Sequence, residues 1–308
     1  MVDKRTIKRS CPDASSLVTM GPHVGRAMQV PAPFEYSRAT SVEHAVALLV
    51  RHGAETRLLA GGHSLIPMMK LRLAAPELLV DINELTDLAY VTVADGVLRI
   101  GALARHAALL ASPLVGDVAP VLHDAERSIA DAIVRNRGTV GGSVCQADPS
   151  EDLSGAFCAL RAEAVIRGAQ GTRTVPMREF FLGPYQTAVG PAEMLVELRV
   201  PLWSTGSAYV KVDRRAGDWA VAAAAAALRV ADGVITDAGI GLTAVGSFVA
   251  AEAEASLLGR PPTEETFAAA GRLAAQHCRP SADQRGPVDY KRHLAGELTV
   301  RALRKAAA

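Results

Sequence analysis

Cysteine is scarce in this 308-residue chain. Cys11, Cys145, Cys158 and Cys278 are scattered, and none sits in a C-x-x-C pair. That spacing excludes an ordinary zinc or iron–sulfur site and suits buried thiols in a reducing compartment. Excess charge is lacking too: the net charge is +1, which gives no electrostatic case for nucleic acid or an anionic membrane surface. No apolar run approaches the ~18 residues of a membrane span. There is no G-x-G-x-x-G and no Walker sequence, and Gly239-Ile240-Gly241 lacks a third glycine, so a Rossmann or P-loop nucleotide site is not supported. The eight histidines include no H-E-x-x-H or related ligand spacing. The expected metal-ligand set is empty.

What the chain does have is a pair of glycine stretches. The first runs Ala60-Gly61-Gly62-His63-Ser64-Leu65-Ile66-Pro67 and follows Arg57–Ala60, which reads as a buried strand. Glycine reaches positive φ without a Cβ clash, and successive amides in such a turn can converge on an anion. A single Gly-Gly reads as an ordinary tight turn. The second stretch, Thr139-Val140-Gly141-Gly142-Ser143, repeats the design. Two such loops suit a ligand with two phosphates and a long polyol, such as FAD.

The length allows two domains and a sizeable core. Residues 1–30 have no sustained apolar period and no apolar run after Lys4, Arg5, Lys8 and Arg9. They read as a disordered extension or an upstream start, not as a secretory signal. Thr40-Ser41-Val42-Glu43 resembles a capping box, and Val42, Ala45, Val46, Leu49 and Val50 fall on one helical face. Leu78–Ile82 reads as a strand, Tyr90–Ile100 as a hairpin about Asp95-Gly96, and Val121–Val134 as a helix. Met194–Pro201 alternates like a strand. Composition shifts after Pro201. Ala220–Val230 is alanine-rich, and propensity alone says helix. The Asp232-Gly233 turn signal between Leu228–Val230 and Val234–Ile235 overrules it in favour of a hairpin. Glu252–Leu258, Glu264–His277 and Tyr290–Lys305 read as helices packed on that sheet.

Ala-Gly-Gly-(Gln/His)-Ser, then Leu-(Leu/Ile)-Pro, then Thr-(Ile/Val)-Gly-Gly and a small polar residue is a family pattern. On it, the chain resembles the FAD-binding medium subunit of the molybdenum hydroxylases, and within that family the carbon monoxide dehydrogenase branch. The resemblance covers the chain from about Pro31 onward. Ser143 stands where many members have Asn. The resemblance implies an α+β fold: a PCMH-type two-lobed FAD-binding domain over 31–203, with lobes of about 31–84 and 85–203, followed by a C-terminal α+β domain over 204–308. It also implies cofactor contacts from Ala60, Gly61, Gly62, His63, Ser64 and Leu65, and from Thr139, Val140, Gly141, Gly142 and Ser143. Asp152 would lie near the ribityl or adenosine part of FAD, its alternative being an N-cap for the helix at Leu153. Ile129 and Leu195 align with apolar residues that line the flavin pocket. Tyr209-x-Lys211, the basic pair Arg214-Arg215 and Asp218-Trp219 match a further element: Lys211 can stabilise negative charge on reduced flavin, and Trp219 can cover the isoalloxazine or pack between domains.

The function so implied is that of an oxidoreductase subunit for electron transfer. A molybdopterin large subunit oxidises substrate, an iron–sulfur small subunit passes electrons singly to FAD on this chain, and FAD delivers pairs to an external acceptor. The expected assembly is a dimer of heterotrimers in the cytoplasm, or at the inner face of the membrane through the complex. No residue here need act as nucleophile or general acid. His63 in place of the commoner Gln favours carbon monoxide as the complex's substrate, with xanthine, aldehyde or heterocycle dehydrogenases as the alternative. A self-contained flavin oxidase and a non-enzymatic interaction module are the other two classes.

Overall fold

In the computed structural model, which describes residues 30–308, the chain begins as a small parallel sheet. β1 (Glu35–Arg38), α1 (Val42–His52), β2 (Thr56–Leu59), α2 (Leu65–Lys70) and β3 (Leu78–Asp81) follow in order, with β3 central and parallel to both neighbours. The expected N-terminal extension lies outside the described residues except Val30, whose carbonyl accepts from Arg72 Nε at 2.8 Å. α1 is capped by Ser41, which accepts from the His44 amide, one position after the Thr40 that a Thr-x-x-Glu box requires.

An antiparallel sheet comes next. β4 (Val91–Ala94) and β5 (Val97–Gly101) form the hairpin read at Asp95-Gly96. Helices follow: α3 (His106–Ala111), α4 (Pro113–Val118), α5 (Pro120–Ser128), α6 (Ala132–Arg137) and α7 (Val140–Gln146). The helix expected over Val121–Val134 is two helices. The break falls where Ala130 takes φ +44° and Asp131 caps α6 by accepting from the Val134 amide. α8 (Asp152–Ala159) leads into β6 (Glu163–Gly168), β7 (Gly171–Pro176), the short elements α9 (Met177–Phe180), β8 (Phe181–Gly183) and β9 (Gln186–Thr187), and then β10 (Glu193–Pro201). The strand order is β4-β5-β10-β6-β7, so the last long strand fills the centre.

The C-terminal sheet is β11 (Gly206–Val212), β12 (Ala222–Ala231) and β13 (Val234–Thr243), antiparallel throughout. α10 (Ala251–Leu257), α11 (Glu264–His277) and α12 (Val288–Ala306) cover one of its faces. The alanine run is a strand, as read from its turn signal: Asp232 and Gly233 take φ +51° and +77°, the left-handed pair of a tight hairpin. Both faces of β12 are covered. Ala223, Ala225 and Ala227 join the core of the preceding sheet, while Ala222, Ala224, Ala226 and Leu228 join the core under the C-terminal helices. Where both faces are buried, side-chain size decides and helix propensity does not.

The two sheets meet through α8 at backbone distance. A Cβ built on Gly241 would lie 1.8 Å from the Gly155 carbonyl oxygen, and one on Gly239 would lie 2.0 Å from that of Ala159. Trp203 closes the seam: its Nε1 donates to the Leu160 carbonyl at 2.9 Å, and the Arg161 guanidinium sits 4.6 Å from its ring centre. Arg161 in turn holds both oxygens of Asp237 on β13.

Candidate functional site

The turn between β2 and α2 faces the start of α7 across a cleft of about 810 Å³, within the ~300–1,000 Å³ usual for small-molecule and cofactor sites. Ala60, Gly61, Gly62, His63, Ser64 and Leu65 line one side, and Thr139, Gly141, Gly142 and Ser143 the other. Ile129, Asp152, Leu195 and Trp219 also border it. Two expected residues do not. Val140 is fully buried beneath the first turn of α7, because its helical position points it into the core. Lys211 lies behind the wall: its Nζ donates to Asp152 Oδ2 at 2.9 Å and to the Ser128 carbonyl at 3.1 Å.

The two glycine stretches differ in what they offer. Among the described residues, no group accepts from the amides of Gly61, Gly62, His63, Ser64 and Leu65. Gly62 takes φ +81°, and all five residues line the cleft. A run of unaccepted amides in a turn of this kind can converge on an anion. The second stretch is the first turn of a helix. Its amides are already used: Val140 donates to the Ala104 carbonyl, Gly141 to that of Ala102, Gly142 to Thr139 Oγ1 and Ser143 to the Thr139 carbonyl. Its glycines therefore serve as a thin wall. A Cβ on Gly141 would meet the Ala102 carbonyl oxygen at 2.7 Å, whereas one on Gly142 would meet only Thr139 Oγ1 at 2.7 Å and Ala60 Cβ at 3.9 Å. Gly61 is fixed by the chain itself, since its Cβ would lie 2.4 Å from the Arg137 carbonyl oxygen.

A clamp joins the two sides. Arg105 donates through Nη1 to the Arg137 carbonyl and through Nη2 to Asn83 Oδ1, and Asn83 Nδ2 donates to the Ala60 carbonyl at 2.7 Å. Nothing local in the sequence marks these residues; only the fold brings positions 60, 83, 105 and 137 together.

Asp152 is not the helix cap. That role belongs to Glu151, which accepts from the Leu153 and Ser154 amides and from the Ser143 hydroxyl. Asp152 instead receives Tyr209 O–H on one oxygen and Lys211 Nζ on the other. Burial pushes its carboxyl above the usual range despite the Lys211 charge. Burial, with the Asp152 charge, also pushes the Tyr209 phenol well up. The lysine expected to serve a reduced cofactor is thus committed to holding this wall. Cys145 borders the cleft as well, but burial pushes its thiol up to about 12, so it is a neutral wall group at pH 7.

Trp219 stands at the rim, 42% exposed and outside the core clusters. Gly217 makes that placement possible: it takes φ +78°, and a Cβ there would lie 2.5 Å from the Ala130 carbonyl oxygen. The tryptophan packed between the sheets is Trp203.

Comparison with known proteins gives a consistent picture. Residues 32–203 match the family described as "FAD binding domain in molybdopterin dehydrogenase", and residues 207–306 match "CO dehydrogenase flavoprotein C-terminal domain". The chain is 42% identical over 281 residues to the carbon monoxide dehydrogenase medium chain of Hydrogenophaga pseudoflava, covering 90% of this chain and 98% of the relative. It is 36% identical over 280 residues to the glyceraldehyde dehydrogenase medium chain of Sulfolobus acidocaldarius, covering 90% and 99%. A solved carbon monoxide dehydrogenase structure from Hydrogenophaga pseudoflava superposes with a TM-score of 0.87 at 43% identity, covering 90% of this chain and 98% of that one.

Proposed function

The chain belongs to the family of FAD-binding domains in molybdopterin dehydrogenases, and from that premise we propose that it is the electron-transfer medium chain of a carbon monoxide dehydrogenase, working beside an iron–sulfur small chain and a molybdopterin large chain in a dimer of heterotrimers. It is an oxidoreductase subunit, and its cofactor is FAD. The observation that carries the reading is the row of unaccepted amides from Gly61 to Leu65, on residues that line one cleft together with the second glycine stretch. Bound FAD supplies two-electron redox chemistry. The chain's own residues do the rest. The amide row would hold the pyrophosphate, with Gly142 leaving room beside it. Ile129 and Leu195 would offer apolar walls to the ring system, and Trp219 would cover it from the rim. Asp152, held by Tyr209 and Lys211, keeps the inner wall rigid.

Two features support carbon monoxide as the substrate of the complex: the relative at 42% identity carries that name, and His63 fills the variable position of the first stretch. The glyceraldehyde dehydrogenase relative supports an aldehyde as the second reading. Among the described residues no helix is long and apolar enough to cross a membrane, and we place the assembly in the cytoplasm, with any membrane contact made through the complex.

Expression with the neighbouring genes tests the proposal. The expected product carries FAD, iron and molybdenum together and reduces a dye with carbon monoxide. A chain that purifies alone without a flavin spectrum, or a complex that turns over only aldehydes, overturns the first reading.

A further inference from the structure

Behind the second glycine stretch lies a buried acid–base pair. His106 opens α3 and is 3% exposed, and Glu126 on α5 is fully buried. His106 Nδ1 lies 3.1 Å from both Glu126 oxygens. The other ring nitrogen, Nε2, has no partner among the described residues, and His106 borders the cleft. Gly138 keeps that edge open: a Cβ there would lie 2.7 Å from His106 Cδ2 and 3.3 Å from Nε2. Gly138 also packs on the first stretch, its Cα 2.8 Å from where a Gly61 Cβ would be. The unpartnered imidazole edge is therefore one residue's thickness from the head of the amide row.

We propose that His106, backed by Glu126, is an anion-positioning residue of the cofactor cleft: its imidazolium gives Nδ1–H to Glu126 and Nε2–H to an anionic oxygen of the bound cofactor, so that cofactor binding and protonation of this pair are linked. The inference rests on the FAD reading above. The charged groups facing the ring are Glu126 from α5, Arg135 from α6 and Glu151 at the cap of α8. Arg105, its chain neighbour, is tied up in the Arg137–Asn83 clamp, and Asp117, the one charged residue of α4, is exposed. Burial alone would lower the imidazole's proton affinity, but the Glu126 charge and hydrogen bond outweigh it and hold it above the ordinary histidine value. The sign follows. The anion prefers the imidazolium, so affinity is highest on the acid side and falls as pH rises through the raised value, with a limiting slope of one proton per ligand.

The test is a titration of the flavin-stripped complex with FAD between pH 6 and pH 9.5, for the wild type, His106→Gln and Glu126→Gln. The wild-type Kd should rise toward tenfold per pH unit on its alkaline limb, with about one proton taken up per FAD in buffers of different ionisation enthalpy. His106→Gln should be weaker at acid pH and flat. Glu126→Gln should keep the limb but begin it at lower pH, a shift that a merely structural role would not produce; it also carries the test if His106→Gln does not fold. ADP in place of FAD locates the oxygen: a limb with ADP assigns it to the pyrophosphate, and a limb with FAD alone assigns it to the flavin side. A wild-type Kd independent of pH, or a His106→Gln protein that keeps the wild-type slope, overturns the inference and leaves the FAD reading standing. Failure of FAD to bind the wild type at any pH removes both.

Discussion

Arg105 and Asn83 meet side chain to side chain, with Nη2 3.0 Å from Oδ1, and through them the Arg137 and Ala60 carbonyls are tied to each other. The contact sets the width of the cleft, because each residue reaches the backbone on one side of it. Arg105→Lys cannot make both bonds at once, and Asn83→Ala removes the donor to Ala60. Each should weaken FAD binding about tenfold, from ~1.5 kcal/mol of charge-assisted bonding. The double variant should lose little more than either single one, since both break the same link. Flavin titration of the three proteins measures this; additive losses would mean the two residues act separately.

Gly61 and Gly142 should respond differently to the same substitution. Gly61→Val drives a side chain into the Arg137 backbone and should cost both stability and FAD. Gly142→Val meets mainly the Thr139 hydroxyl, so the fold should lose no more than a capping bond, ~1 kcal/mol, while the cleft is blocked. A Gly142→Val protein with normal melting and a full complement of FAD would place the cofactor elsewhere.

Trp219→Ala should change the flavin and spare the fold. The indole stands at the rim and outside the core. Aromatic stacking is worth ~0.5–1.5 kcal/mol beyond area burial, so FAD affinity should fall roughly threefold to tenfold. Flavin fluorescence and the rate of reaction with oxygen should rise, with the melting temperature unchanged. A destabilised protein with unaltered flavin fluorescence would assign Trp219 to packing.

Asp237 should give the acid limb of stability a visible share. Burial would raise its carboxyl, but the Arg161 hydrogen bond and charge outweigh it, and the group is held below its ordinary value. A carboxyl lowered in the folded state contributes stability above its unfolded value, and loses it as pH falls through the folded one. The pair is partly exposed, so the contribution is under ~1 kcal/mol. Melting curves of wild type and Asp237→Asn should differ at pH 7 and converge below about pH 4; a gap that persists at low pH would exclude the ion pair as its source.

Much of this was legible along the chain, and the failures have physical reasons. Turn chemistry at Asp232-Gly233 outweighed the helix propensity of seven buried residues from Ala222 to Leu228, because short-range backbone constraints are readable from sequence. The glycine pairs were readable as exceptions to ordinary packing, yet their division of labour was not. Whether an amide is free depends on a carbonyl such as that of Ala102 or Ala104, which arrives from another element. The surroundings of Lys211 were hidden for the same reason: a lysine near a flavin motif and a lysine bound to Asp152 look identical until the fold places Ser128 and Asp152 beside it. The break at Ala130 carries no proline or glycine, and its left-handed backbone, with Gly217 packed on its carbonyl, is set by contacts from elsewhere in the chain that no local pattern shows. His106 and Glu126 are twenty positions apart on separate helices, so no local pattern could have paired them.

The backbone contacts at Gly155 with Gly241 and Ala159 with Gly239 constrain how this chain can be recombined. A hybrid that takes residues 207–306 from one parent and the preceding region from another would cut through the covalent link while leaving this non-covalent joint to chance. Any parent with a side chain larger than hydrogen at 239 or 241 would lift α8 off the sheet. Glu151 and Asp152 sit at the other end of that helix, so the displacement would be felt in the cleft. Viable crossovers should therefore keep 152–159 and 234–243 from the same parent, whatever happens at the 203–207 boundary.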